Sequence, residues 1–314
     1  MRLLRSLDDF PADLRGSAVT IGNFDGVHLG HARLVQQLLA SARQVGGPAI
    51  VFTFDPHPVR LLRPQSAPPP LTWTDRKAAL LAELGVTAIV AYPTDEALLQ
   101  LTPEDFFRSL VVEKLAANAI VEGNNFFFGR GRAGTIATLA ELCSAARIDL
   151  AIVDSEIVGG KIVSSSRVRE AVQAGDVDFA RQLLTRPYRI RGMVTHGAGR
   201  GGKLGFPTAN LEAIDTILPG AGVFAGRAFS AAGAWPAAIN IGPNPTFGEH
   251  MLKVEVHLID FSGPLYGQPL EVEFLSRLRG TMSFESVASL KAQLGNDIAA
   301  ARRIAAATSN GGAT

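Results

Sequence analysis

Apolar positions follow two different rhythms along the chain. From Ser17 to about Leu150, short apolar runs alternate with stretches of helical spacing. Ala18–Gly22, Ala49–Phe54, Val86–Tyr92, Ala119–Val121, Ile148–Val153 and Ile157–Val163 read as strands. Leu34, Val35, Leu38, Leu39 and Ala42 recur at helical intervals, and Arg76–Leu84 is helical until Gly85 stops it. Pro103–Leu115 is a further helix, with Thr102 as its N-cap and Pro103 in its first turn. Strands that alternate with helices predict a parallel sheet wrapped on both faces. Ligands of such sheets sit beyond the strand C-termini, on the loops that lead into helices. Pro64–Pro70 reads as a mobile Pro-rich loop.

After Leu184 the rhythm changes. Tyr188–His196, Val223–Phe229, Trp235–Ile241, Leu252–Asp260 and Leu270–Leu275 read as strands separated by Gly, Pro and Asn, with no helix between them. That pattern predicts an antiparallel barrel or sandwich. One amphipathic helix closes the chain, with Phe284, Val287, Leu290, Leu294 and Ile298 on one face. The change of rhythm sets a boundary near Thr185–Pro187, giving domains 1–184 and 185–314. The length of 314 residues agrees with two domains of roughly 100–200 residues each.

Composition narrows the function. Thirty basic residues balance 29 acidic ones, whereas nucleic-acid and membrane-surface binders carry an excess of Lys and Arg. Small-molecule substrates are expected, with room for a weak homo-oligomer. A single cysteine, Cys143, excludes intrachain disulfides and fits a reducing cytoplasm. Met1–Asp9 lacks the apolar core of a signal peptide, and no apolar run approaches the ~20 residues of a membrane-spanning helix. The tail from Ala305 reads as frayed.

Candidate chemistry collects at three places. Gly22-Asn23-Phe24-Asp25-Gly26-Val27-His28-Leu29-Gly30-His31 lies where the first strand hands over to the first helix. A helix N-terminus offers unpaired N–H groups to an anion. His28 and His31, three apart, can aim at one phosphate and donate hydrogen bonds to charge that develops on it. Zinc would need a third ligand that is not evident nearby. Ser164-Ser165-Ser166-Arg167-Val168-Arg169 opens another helix with three hydroxyls and two Arg, either as N-caps or as a polyphosphate clamp. In the second half, the Gly-rich stretch from His196 through Gly199 and Lys203 to Asn210 exposes backbone N–H groups, but it lacks the spacing of a P-loop. Thr208 and Asn210 offer oxygens suited to a hard cation. In Leu252–Leu258, Lys253, Glu255 and His257 share one strand face. Glu255 there is either an ordinary exposed charge or a base for a hydroxyl nucleophile.

These segments, with Thr53-Phe54-Asp55-Pro56-His57-Pro58, Gly123-Asn124-Asn125-Phe126-Phe127-Phe128-Gly129, Asn240–Phe247 and Glu255–Phe261, resemble in order the bifunctional riboflavin kinase/FAD synthetases. The resemblance implies a Rossmann-like nucleotidyltransferase domain followed by a six-stranded antiparallel barrel with a terminal helix. It implies that the second domain phosphorylates riboflavin to FMN and the first adenylylates FMN to FAD, with ATP as donor and Mg²⁺ bridging phosphates. On that resemblance His28 and His31 are catalytic, and Asn23, Asn125, Ser165, Ser166, Arg167, Gly199 and Lys203 hold ATP. Asp55, His57, Leu278 and Arg279 border flavin, Thr208 and Asn210 hold Mg²⁺, and Glu255 deprotonates the ribityl hydroxyl. The chain departs from the family pattern in three places. Asn125 is often Asp, Ser166 is usually Thr, and Gly280–Ser283 lacks an acidic residue often found there. The rival readings are a nucleotidyltransferase for another acceptor with an idle barrel, and a flavin-sensing regulator without turnover.

Overall fold

A computed structural model describes residues 1–197, 200–244 and 249–310. The chain forms two compact units, Met1–Pro68 with Trp73–Ser164, and Pro69–Thr72 with Ser165–Thr314.

The first unit contains β1 (Arg2–Leu4), β2 (Ala18–Ile21), α1 (Leu29–Val45), β3 (Ala49–Asp55), α2 (Val59–Leu62), α3 (Thr74–Glu83), β4 (Ala88–Pro93), α4 (Glu96–Gln100), α5 (Pro103–Phe106), β5 (Ala119–Gly123), α6 (Ile136–Ala146) and β6 (Asp149–Val153). A short hairpin of β7 (Ile157–Val158) and β8 (Lys161–Ile162) follows. The six-stranded sheet has the order β1-β4-β3-β2-β5-β6 and is parallel throughout. Successive side chains go to opposite faces, and both faces are buried. Val19, Ile21, Ile50 and Phe52 join one core with Phe106, Leu110 and Leu115, while Ala18, Ala49 and Val51 join the other with Val35, Leu38 and Leu81. This is why the strands read as continuous apolar runs. The chain runs from β2 outward to β3 and β4, then crosses back to β5 on the other side of β2. The C-terminal ends of β2 and β5 therefore flank a topological switch point, where such sheets bind ligands.

Two local expectations need correction, and one strand was not anticipated. Ile157–Val163 is not one strand of the sheet. Gly159 and Gly160, both at positive φ, turn it into the β7–β8 hairpin, and Ile157 and Ile162 lie exposed, so their apolar character does not mark the core. The helix beginning at Pro103 keeps its Thr102 cap, whose hydroxyl accepts the Asp105 N–H at 3.1 Å, but it continues as a π-helical stretch over Phe107–Lys114. Arg2–Leu4, too short and too charged to register as a strand, pairs on the sheet edge with β4.

The second unit opens with α7 (Ser165–Gln173) and α8 (Val177–Leu183), then runs β9 (Arg189–Thr195), α9 (Arg200–Leu204), β10 (Ala209–Glu212), β11 (Gly222–Ser230), β12 (Gly233–Asn244), β13 (Glu249–Leu258), β14 (Pro269–Arg279) and α10 (Val287–Asn310). The strands close into an antiparallel barrel in the order β10-β13-β12-β11-β14-β9, since β9 pairs with both β10 and β14. Closure decides between barrel and sandwich. Ile190, Phe224, Ile239, Val256, Val272 and Phe274 are fully buried. A helix does interrupt the strands, contrary to expectation: α9 folds within the Gly-rich stretch, and β10 is an additional strand. The buried face of α10 runs through Asp297, Ala301 and Ala305, with Ile298 and Ile304 against the barrel. Val287, expected on that face, is exposed.

Candidate functional site

In the first unit the turn between β2 and α1 carries the most unusual backbone. Phe24 and Val27 have φ of 48° and 42°, a left-handed conformation that costs a non-glycine residue roughly 1–3 kcal/mol. Both side chains are buried in the core, which pins the turn in place. The turn delivers His28 as N-cap of α1. His28 Nδ1 accepts the His31 N–H, and His31 Nδ1 accepts the His28 N–H, each at 3.3 Å. The two rings stack with centroids 3.6 Å apart. With both Nδ1 atoms accepting, the proton of each neutral imidazole sits on Nε2, which is left as a donor. Burial pushes the His28 pKa down to about 4, against the opposing charge of Asp25. Burial, then His28 and Lys77, hold His31 well below the usual histidine range. The pair therefore acts at neutral pH as two uncharged N–H donors at a helix N-terminus.

The remaining candidates of this unit follow neighbouring strands on the same sheet edge. Asp55 ends β3, accepts from the Thr74 hydroxyl at 2.6 Å and lies 3.7 Å from Arg5. His57 follows it, and its Nδ1 accepts the Val59 N–H at 3.1 Å. Asn125 lies exposed on the loop after β5. Asn23 thus stands after β2, Asp55 at the end of β3 and Asn125 after β5, three adjacent strands. Ser165, Ser166 and Arg167 form the first turn of α7 in the second unit, where the Arg167 guanidinium lies 5.0 Å from the Phe179 ring centroid.

Two buried ionisable groups beside the turn escaped the sequence reading. Lys77 of α3 is 8% exposed and donates to the Thr53 hydroxyl at 3.2 Å. Glu122 of β5 is 2% exposed and accepts the Ile21 N–H at 2.7 Å. The signal for Lys77 was its spacing: it stands three and four residues before Leu80 and Leu81, on the apolar face of its helix. Glu122 interrupts the apolar run Ala119–Val121, which marks it as a polar group inside a buried strand.

In the barrel, strand register assembles the site. Asn210 is paired with Glu255 across β10 and β13, Asn240 with Glu255 across β12 and β13, and Asn210 with Thr195 across β10 and β9. Thr195, Asn210, Glu255 and Asn240 therefore form one polar row across four strands, while Ala209, Leu211, Val254 and Val256 are the buried alternates. Asn240 Nδ2 donates to Glu255 Oε2 at 3.4 Å. The Thr195 hydroxyl is buried without a hydrogen-bond partner among the described residues. The half-buried Thr208 precedes β10, held by a 2.7 Å contact between His257 Nδ1 and the Pro207 carbonyl. That carbonyl can only accept, so Nδ1 of His257 carries the ring proton. A Cβ on Gly197 would stand 2.0 Å from Asn210 Nδ2, so any side chain there would displace the amide. Thr195 was legible only as an ordinary strand residue, and Asn240 only as the start of the Asn240–Phe247 segment, with no role of its own.

Leu278 and Arg279 lie at the end of β14, across the barrel from β13. Leu278 packs into the core beneath α10. Arg279 is tied to Asp297 of α10 by three hydrogen bonds of 2.8–3.2 Å. Gly199 and the side chain of Lys203 lie outside the described residues.

For Mg²⁺ the donor set can be tested on the barrel row. Neutral oxygens of Thr208 and Asn210, a carboxylate in register with Asn210, and the orphaned Thr195 hydroxyl suit a hard cation that keeps water and phosphate ligands. Among the described residues no cluster of three or more His, Cys, Asp or Glu side chains could hold a metal by itself. No helix among them is long and apolar enough to cross a membrane.

Comparison with known proteins agrees with both halves. The FAD synthetase family model matches residues 10–167, and the riboflavin kinase model matches residues 184–305. A bifunctional riboflavin kinase/FMN adenylyltransferase of Pseudomonas fluorescens is 36% identical over 98% of each chain. Its counterpart in Escherichia coli K12 is 34% identical over 96% of this chain and 97% of its own. A crystal structure described as a macrolide-efflux protein of Streptococcus pneumoniae superposes with a TM-score of 0.84 at 29% identity, covering 96% of this chain and 98% of that one. With a domain of each kind, in that order, and relatives matching along nearly its whole length, the chain belongs to the bifunctional riboflavin kinase/FMN adenylyltransferase family of transferases.

Proposed function

We propose that the chain makes FMN from riboflavin at the Thr195–Asn210–Glu255–Asn240 row of the barrel, and FAD from FMN at the His28–His31 turn of the parallel-sheet unit. The catalytic boundary is drawn at 184/185. The observation that carries the reading is the direct pairing of Asn210 with Glu255 across β10 and β13. It sets a carboxylate beside a hard-cation ligand, as phosphoryl transfer to a hydroxyl requires.

In the kinase step the ribityl 5′-oxygen attacks the γ-phosphorus of ATP. The new O–P bond forms as the bond to the β-phosphate oxygen breaks, ADP leaves, and Glu255 takes the hydroxyl proton. The Asn240 amide holds one carboxylate oxygen, which orients the other toward substrate. Thr208 and Asn210 would hold Mg²⁺, which when bound neutralises charge on the phosphates. Gly199 and Lys203 are assigned to the same nucleotide, and Leu278 and Arg279 to the flavin border.

In the adenylyl step an FMN phosphate oxygen attacks the α-phosphorus of ATP, and the bond to the β-phosphate breaks with release of pyrophosphate. The attacking oxygen is already anionic, so no base is required. Catalysis is positioning and charge stabilisation. His28 and His31 donate from Nε2 to the phosphate oxygens, Asn23 and Asn125 hold the nucleotide, and Asp55 and His57 face the flavin phosphate. Ser165, Ser166 and Arg167 hold the leaving pyrophosphate. Because both pKa values are depressed, both Nδ1 atoms stay acceptors at neutral pH and the reciprocal cap that aims the Nε2 donors is kept.

The test is chromatography of riboflavin incubated with pure protein, ATP and Mg²⁺. FMN should appear first and FAD later. Formation of FAD only from supplied FMN would contradict the barrel assignment, and no product from either flavin would contradict both.

A further inference from the structure

We propose that Lys77 is a positioning residue for adenylyl transfer, acting through Thr53 to hold the Gly22–His28 turn in the form that presents both imidazoles. The proposal rests on the reading that His28 and His31 serve that reaction. Lys77 Nζ donates to Thr53 Oγ1 at 3.2 Å, and the same hydroxyl donates its hydrogen to the Asn23 carbonyl at 3.0 Å. The relay has a fixed direction. An ammonium can only donate and a carbonyl can only accept, so the hydroxyl between them is oriented. It ties α3 and the end of β3 to the first residues of the turn after β2.

Three further observations point the same way. The turn contains Phe24 and Val27 at positive φ, and strain of that kind persists only where surrounding contacts over-determine it. Asp25 lies inside the turn, 6% exposed, and a carboxylate so buried requires a nearby cation. Lys77 is the cation that faces it: burial lowers the lysine's pKa, and Asp25 and Asp55 oppose that by favouring its protonated form. Finally, packing alone does not call for a lysine. Its neighbours on the helix face are Ala78, Leu80 and Leu81, and an apolar residue would fill the place without the cost of burying an ammonium.

The experiment measures FAD formation from supplied FMN and ATP–Mg²⁺ in the full chain. Lys77→Met removes the charge at similar volume. Thr53→Val removes the relay with its shape kept, and Thr53→Ser restores the hydroxyl. His28→Ala is the reference for the site itself, and Trp73 emission reports that the first unit is folded. Lys77→Met and Thr53→Val are expected to lower kcat on the order of 10²-fold, since a small misplacement of catalytic groups costs that much. KM values should stay within about threefold, because the loss is in the transition state. Thr53→Ser should recover kcat to within about threefold of the parent, and the double variant Lys77→Met/Thr53→Val should be no worse than Lys77→Met alone. Parental kcat in Lys77→Met, a raised KM with unchanged kcat, or a Thr53→Ser variant as poor as Thr53→Val would each overturn the proposal. If such a result came with an inactive His28→Ala, the site reading would stand and only the role of Lys77 would fall. An active His28→Ala would remove the site reading and the proposal with it.

Discussion

Glu122 offers a quantitative test of the electrostatics at the switch point. Burial pushes its pKa well above the ordinary value of 4.5, and the Ile21 hydrogen bond opposes this without reversing it. Above pH 4.5 the unfolded chain releases this proton while the folded chain keeps it. The folded state then binds more protons, so stability falls as pH rises toward the folded pKa. The slope for one such group is at most about 1.4 kcal/mol per pH unit, for as long as the folded chain keeps the proton. Glu122→Gln keeps the volume and the acceptor for the Ile21 N–H but does not titrate. The unfolding free energy of the variant minus that of the parent should therefore rise from about pH 5 to 7. His28, lowered to about 4, and His31 act with the opposite sign. Their stabilisation is lost as pH falls from about 6.5, and it cancels in the difference because both proteins carry them. The assay is urea unfolding followed by Trp73 emission in a Trp235→Phe background. Trp73 is buried in the first unit and Trp235 is the chain's other tryptophan, in the second. Glu122→Leu serves as a control. It leaves the Ile21 N–H buried without a partner, at a cost of about 1–3 kcal/mol. A difference between Glu122→Gln and parent that stays flat from pH 5 to 7 would refute the assignment of a retained proton.

The half-reactions should separate by mutation. His28→Ala is expected to lower FAD formation on the order of 10²–10³-fold and leave FMN formation from riboflavin intact, with Glu255→Gln doing the reverse, both read by chromatography of the flavins. Since His28 protonates only near pH 4, the rate of FAD formation should show no histidine inflection between pH 8 and 6, and a fall centred near 6.5 would contradict the buried neutral pair. Gly197→Ala would drive a Cβ into Asn210 Nδ2, so riboflavin phosphorylation should drop at least about tenfold while adenylylation of FMN is unchanged. Arg279→Ala strands Asp297 on the buried face of α10, and should destabilise the barrel unit by about 3–5 kcal/mol, seen as a lowered urea midpoint by Trp235 emission.

Sequence alone determined what depends on neighbours along the chain. The two apolar rhythms separated a parallel-sheet half from a barrel half, because period-two and helical patterning are local consequences of burying one side of an element. The His28–His31 turn was legible because a glycine-flanked strand-to-helix junction has its own geometry, and the capping box that joins the two rings lies within four residues. Thr208, Asn210 and Glu255 could be named as candidates, but nothing local showed that Asn210 faces Glu255 or that Thr195 and Asn240 extend their row. Register is set by hydrogen bonds between distant strands, and a slip of one residue would have sent these side chains to the other face. The Ile157–Val163 run shows the same limit from the other side, since Ile157 and Ile162 satisfy strand propensity yet lie exposed in a hairpin. The burial of Lys77 and Glu122 was decided by tertiary structure. A charged residue in a helix or strand is solvated unless distant chain closes over it. Here α3 and β5 bring these two groups to the turn after β2, so their desolvation and their roles exist only once the sheet has formed.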